Sequence, residues 1–170
     1  MNRFETMLVE EIPALRRYAR VLCGNVTEAD DLVQESLLRA VSRRRLWISH
    51  RGMRPWLFTI LHNLFVSAVR RGARSPMADM SEQIDETAVS DEDPAELCTL
   101  SDFENALHRL TPEQREVLVL VGVEQMSYKQ VGKIIGVPVG TVMSRLSRAR
   151  SYLKNSLEGE INVTRFERVK

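Results

Sequence analysis

Cysteine is scarce in this chain of 170 residues, with only Cys23 and Cys98 present. Two thiols so far apart in sequence make neither a metal-ligand pair by spacing nor a disulfide framework, and a reducing cytoplasm fits that usage. Long apolar runs are missing too. No stretch approaches membrane-spanning length, and the N-terminal MNRFETMLVEE lacks the uninterrupted apolar core of a signal peptide. The expectation is a soluble cytoplasmic protein with no membrane insertion. Self-similarity at a fixed period is absent, which excludes a solenoid. A large net charge is absent as well: the formal value is +1.

That small sum hides a strong segregation. Residues 1–74 hold 13 basic and 7 acidic residues, 75–104 hold no basic and 10 acidic, 105–155 hold 8 and 3, and 156–170 hold 3 of each. Two basic segments flanking an acidic one suggest two nucleic-acid-facing domains on a tether, since a single mixed domain would not sort its charges into blocks. The 44% hydrophobic content is that of a globular chain, enough for one ordinary domain or two small ones.

The first segment reads as helix throughout. Phe4, Met7, Leu8, Ile12, Leu15, Tyr18, Ala19 and Leu22 follow a helical stripe, interrupted by Pro13 at a position that starts a new helix and closed by Gly24-Asn25. Thr27 is the expected cap of the next helix, whose first turn carries Glu28, Asp30 and Asp31 where the helix dipole favours negative charge. Ala29, Leu32, Val33, Leu37, Ala40 and Val41 form its predicted buried side. Asp31, Gln34, Glu35 and Leu38 are left outside, an acidic patch with one apolar residue that suits either a solvated face or a partner surface.

From Ser42 to Arg54 the period is lost and five arginines gather around Trp47, His50 and Gly52. Cations interleaved with an aromatic suit single-stranded nucleic acid, and a loop whose Trp47 simply tucks into the core is the alternative. Pro55 then opens a long helix, WLFTILHNLFVSAVRR, apolar nearly all round. His62 and Asn63 interrupt it, and a lone histidine in such a helix is more often a packed or surface residue than a catalyst. Residues 72–100 have the composition of a tether, too poor in periodic apolar residues to repay ordering. Ser101 with Glu104 and Thr111 with Gln114 read as capping-box starts, Pro112 standing at a first helical position.

The most informative stretch is SYKQVGKIIGVPVGTVMSRLSRAR at 127–150. Ser127 and Gln130 form another capping box, Val131, Ile134 and Ile135 a short apolar stripe, and Gly136 a stop. Pro138 breaks the chain. A second helix then starts near Val139 to Thr141 with Val142, Leu146, Ala149 and Leu153 inward, and Met143, Ser144, Ser147, Arg148 and Ser151 outward. Gly132 falls where the first helix needs a small residue for the second to approach. The outer face has no acidic residue to balance Arg145, Arg148, Arg150 and Lys154, whereas solvated faces usually mix signs. A helix buried on one side and small, flat and cationic on the other suits a DNA major groove, and the pair reads as helix-turn-helix.

ADDLVQESLLRA at 29–40, RPWLFTILHNLF at 54–65 and LTPEQREVLVLVGVEQMSYKQVGKIIGVPVGTVMSRLSRAR at 110–150 resemble the bacterial RNA polymerase sigma factors of the extracytoplasmic-function (ECF) class. GVPVGTVMSRLSRAR is the most specific of these, and the tether and tail lie outside the resemblance. It implies an all-α protein of two small helical domains: sigma region 2 at 1–72, a flexible acidic linker at 73–100, sigma region 4 with its helix-turn-helix at 101–155, and a tail at 156–170. It also implies partners: core RNA polymerase, promoter DNA and an anti-sigma factor, with no enzyme activity, cofactor or metal.

By the same resemblance, Asp31, Gln34, Glu35 and Leu38 face the polymerase clamp. Trp47, Ser49, His50, Arg51, Arg54 and Asn63 serve the melted minus-10 strand, Arg51 and Arg54 holding its backbone while a flipped base is captured. Met143, Ser144, Ser147 and Arg148 fall on the positions that read the minus-35 duplex, with Arg145, Arg150 and Lys154 as phosphate or packing residues. Met143 departs from the arginine common there. RRYAR near the N-terminus is similar to the subset governing general stress responses, in which a sigma-like decoy displaces a soluble anti-sigma factor. Such a decoy is the runner-up; it would need a receiver domain, for which the chain has no spare length, and should have lost the groove-facing cations. A stand-alone helix-turn-helix regulator leaves the first domain unexplained. For an enzyme, Asp30, Asp31 and Glu35 lack His, Cys or further carboxylate partners placed for metal or acid–base work.

Overall fold

Gly24 and Asn25 set the first helical corner of the computed structural model, which describes residues 3–47, 52–72 and 105–167, with side chains to 157. Gly24 ends one helix in the left-handed region at φ 70°, and Asn25 swings to extended geometry and accepts a bond from the Glu28 amide at 3.2 Å. The cap is therefore Asn25 and not Thr27: with the turn completed in two residues, the helix has already begun at Val26. The same economy shifts the start of the long apolar helix. Gly52, at φ 79°, precedes a first helical residue at Met53, so Pro55 lies inside the first turn, where its missing amide hydrogen has no intrahelical partner to lose.

The first unit is thus α1 (Arg3–Glu10), α2 (Ile12–Cys23), α3 (Val26–Ser42), a 3-10 turn at Arg44–Leu46 and α4 (Met53–Arg70). The second unit begins with a helical turn at 105–108, followed by α5 (Pro112–Leu118), a π-helical turn at Val119–Val123, α6 (Tyr128–Ile135) and α7 (Val139–Glu167). Among the described residues there is no strand, and the protein is all-α. Capping boxes form as the sequence predicts at Thr111 with Gln114 and at Ser127 with Gln130. Ser101 and Glu104, and the tether up to residue 100, lie outside the described residues. The last helix runs on to Glu167, through the segment whose charge pattern carries no clear period.

Leu15, Tyr18, Leu32, Leu57, Phe58 and Leu61 are all fully buried and centre the first unit on α4. Each such side chain removed from water contributes about 1.5–3 kcal/mol before entropy is counted. Val41, predicted inward, is 50% exposed near the end of α3, and Ser36 takes a buried place instead with its hydroxyl bonded to the Val33 carbonyl at 2.8 Å. The cluster does not stop at the tether. Val117, Leu120, Met126, Val131, Ile134, Val142 and Leu146 of the second unit belong to the same core, α2 packing on α5 and α4 on α6. A satellite of Ala106, Leu110, Ala149 and Leu153 closes the far end of the second unit. Two units joined by a tether were expected; they are also docked on each other.

Candidate nucleic-acid and polymerase interfaces

Helix α6 and helix α7 meet at a turn that only glycine permits. A Cβ on Gly132 would lie 2.8 Å from the carbonyl oxygen of Val137 and 3.7 Å from Val142 Cγ2, so a side chain there pushes on backbone. The Val137 amide donates to the Gly132 carbonyl at 3.0 Å, and Gly136 caps α6 at φ 72°. With the turn fixed, Val142, Leu146, Ala149 and Leu153 point inward, from fully buried to 9% exposed. Met143, Ser144, Ser147, Arg148, Arg150, Ser151 and Lys154 are exposed and Arg145 is half-buried. The outer face has the composition predicted for it, with Met143 at 51% exposure its most exposed large apolar group.

In the first unit Asp31, Gln34 and Glu35 are exposed on α3, and Leu38 is 73% exposed beside them. Val41 and Leu46 extend that apolar edge at 50% and 66%. Neither was predicted there, because Val41 keeps helical period with the core and Leu46 stands in a stretch without a period.

The basic loop is less open. Ser49, His50 and Arg51 lie outside the described residues. Trp47 is half-buried, its ring 5.5 Å from that of Phe4, and Phe4 also meets Trp56 edge-on at 6.3 Å. Trp47 thus tucks against the core, and its indole N–H is buried with no hydrogen-bond partner among the described residues. Its ring lines a cavity of about 480 Å³ together with Trp56, Pro55 and Thr59 on one wall and Gln130, Lys133 and Ile134 of α6 on the other. Asn63 is exposed on α4. Arg54 is already engaged: its Nε donates to Glu11 Oε2 at 2.6 Å, and one terminal nitrogen lies 3.6 Å from Glu124 Oε2.

Glu124 belongs to a polar cluster that spacing did not reveal. Its carboxylate, 1% exposed, takes a forked pair from Arg17, Nε at 2.8 Å and a terminal nitrogen at 3.1 Å. The hydrogen bonds to Glu124 hold the Arg17 guanidinium above its ordinary pKa, against the opposing cost of burial. Glu124 reaches that site because the chain widens to a π-helical turn just before it, its amide donating to the Val119 carbonyl at 2.9 Å. Glu116 makes the second contact. Its Oε1 accepts from the Tyr18 hydroxyl at 2.6 Å and lies 2.9 Å from His62 Nδ1, itself 3.0 Å from the Tyr18 oxygen. Burial, then the Glu116 charge and hydrogen bond, push the Tyr18 hydroxyl well above its usual pKa. His62 is therefore a packed polar residue, as its isolation in an apolar helix suggested.

Inside the second unit Arg115 is buried and donates to the carbonyls of Leu107, His108 and Leu110, tying the turn at 105–108 to α5. Burial lowers its pKa from the ordinary arginine value. Among the described residues no group of three or more His, Cys, Asp or Glu is placed to hold a metal, and no helix is long and apolar enough to cross a membrane.

Two helical units, the second a helix-turn-helix with a cationic outer face, define a DNA-binding protein of the sigma type. Family models agree: the Sigma2 domain of PhyR matches residues 8–62 and Sigma-70, region 4, matches residues 100–153. The ECF RNA polymerase sigma factor EcfG of Rhodopseudomonas palustris is 40% identical over 146 residues, which cover 86% of this chain and 80% of that protein. SigW of Bacillus subtilis is 30% identical over 147 residues, covering 80% and 79%. Among solved structures, the sigma factor RpoE from Bartonella quintana, in complex with the anti-sigma factor NepR, is similar at a TM-score of 0.72 and 34% identity, over 93% of this chain and 98% of that one. The chain belongs to the ECF family of RNA polymerase sigma factors, which act in transcription initiation.

Proposed function

We propose that this sigma factor directs polymerase to promoters whose minus-35 element is read as duplex by α7 and whose minus-10 element is held as melted single strand by the loop at 43–54 with Asn63. The observation that carries the reading is the outer face of α7, where Met143, Ser144, Ser147 and Arg148 are exposed with no acidic neighbour among the outward residues of 139–157. Arg148 reaches acceptors on base edges, the two serines permit close approach, and Arg150 and Lys154 meet phosphates. Met143 has no donor, so it selects by apolar contact, for which the thymine methyl is the natural partner. On the other unit, Asp31, Gln34, Glu35 and Leu38 form the surface offered to a basic element of the polymerase clamp. Flipping one base out of the minus-10 strand costs a few kcal/mol, which stacking and edge hydrogen bonds offset.

The regulatory partner in this reading is a soluble anti-sigma factor, as the complex of the similar RpoE with NepR suggests. A general stress role follows from the resemblance of RRYAR to the general-stress subset. The first unit's match to the Sigma2 domain of PhyR supports a second reading, in which the chain is a decoy that binds an anti-sigma factor and not promoter DNA. The cations of α7 favour the first reading, since a decoy gains nothing from them. Run-off transcription with core polymerase on a promoter library separates the two. Discrete transcripts that appear only when this protein is added support the sigma reading; none, even with the inhibitor absent, refutes it.

A further inference from the structure

We propose that Glu124 is an intramolecular stand-in for a nucleic-acid phosphate, docked on the cations of the first unit and masking Arg54 until the two units part. This rests on the reading of Arg54 as a backbone contact for the melted strand. Arg54 and Arg17 both address one carboxylate that is 1% exposed and comes from the other unit. Arg17 gives Glu124 the planar fork it could give a phosphate, and Arg54 adds an ion pair from one terminal nitrogen at 3.6 Å, so a phosphate would compete with Glu124 for the same cations. Glu11 holds Arg54 from its own unit at 2.6 Å, which fixes the side chain where Glu124 meets it.

The second contact, Glu116 on Tyr18 and His62, and the shared core keep the mask in register. Closure also brings Gln130, Lys133 and Ile134 against the Trp47 side of the loop. A closed chain cannot serve both promoter elements. Centres about 25 base pairs apart are separated by on the order of 85 Å of duplex at ~3.4 Å per step, whereas α4 and α6 touch. Residues 73–104, fully extended, reach about 110 Å at most, so their length permits the separation.

The test measures binding of the full chain to a single-stranded oligonucleotide of minus-10 sequence as a function of salt. Glu124→Gln is expected to bind about fivefold or more tightly, with a salt slope steeper by about 0.7, the value for one added phosphate contact on single strands. Glu113→Gln, which removes the same charge from an exposed position, is expected to change affinity less than twofold. Arg54→Ala should abolish most of the gain made by Glu124→Gln, the two being coupled through one site. If Glu124→Gln does not hold its fold, Glu124→Asp keeps the charge but withdraws it, and should give a smaller gain of the same kind. Equal gains from Glu113→Gln and Glu124→Gln, or a gain untouched by Arg54→Ala, overturn the mask. Because no polymerase is present, that failure is distinct from failure of run-off initiation, which overturns the sigma reading.

Discussion

The two faces proposed to meet nucleic acid differ in what their cations do at rest. On α7 the outward arginines and lysine stand among serine and methionine, and residues 139–157 hold no Asp or Glu. On the first unit Arg54 and Arg17 are held by Glu11 and Glu124, one of them a buried charge from the opposite unit. The protein's own acids engage the second face at Arg17 and Arg54. The difference teaches that a count of basic residues overstates a surface: 13 basic residues lie in residues 1–74, but Arg17 and Arg54 among them are already paired with acids, while Arg43, Arg44 and Arg45 stay exposed.

Substitutions can break that comparison, and the largest effect should come from reversing charge on the face proposed for polymerase. Asp31→Arg is expected to abolish polymerase binding in a pull-down or fluorescence titration while leaving duplex binding by α7 within twofold, since Asp31 is exposed on the far unit. Unchanged polymerase affinity would remove that surface from the account. Next comes Arg148→Ala, expected to cost about 1–3 kcal/mol on the promoter duplex and to relax selectivity at one minus-35 step. Equal losses on cognate and scrambled duplex would mean that Arg148 meets phosphate only.

Gly132→Ala sharpens the comparison from the scaffold side. Its methyl group would meet the Val137 carbonyl at 2.8 Å, so a loss of about 1–3 kcal/mol is expected, as for other overpacked sites. Thermal unfolding should register it, and duplex binding should suffer more than single-strand binding. The smallest effect is the pH dependence of Tyr18. Its native pKa is raised, so the native state keeps the proton after the unfolded chain has lost it. The stability this supplies is fully present below the unfolded value of about 10 and is lost as pH rises through the native one. Wild type should therefore lose stability more steeply than Tyr18→Phe above about pH 10 in denaturant titrations; parallel curves would deny the Glu116 contact its role.

Local signals carried much of this architecture. Capping boxes at Thr111 and Ser127, the stop at Gly136 and the tight fit at Gly132 are all written in residues a few positions apart, and the structure has each of them. The inward stripe of α7 was legible for the same reason: helical period alone assigns Val142, Leu146, Ala149 and Leu153 to one side. What escaped is non-local. Glu116 and Glu124 look like ordinary surface acids in a helical stripe, and their partners lie 54 to 107 positions away. No period encodes a partner at that range. The cap at Asn25, two residues before the expected Thr27, and the exposure of Val41 in the last turn were missed because helix ends are set by which side chain closes the turn first.

The docking of the two units carries the account, and energy transfer between them tests it most directly. Dyes placed through Ser67→Cys on α4 and Glu113→Cys on α5, both exposed positions, in a Cys98→Ser background, report that separation. Strong transfer is predicted for the free chain and its near-complete loss in the polymerase–promoter complex, where the two elements lie on the order of 85 Å apart. Transfer that stays strong in a complex making transcripts would contradict the account.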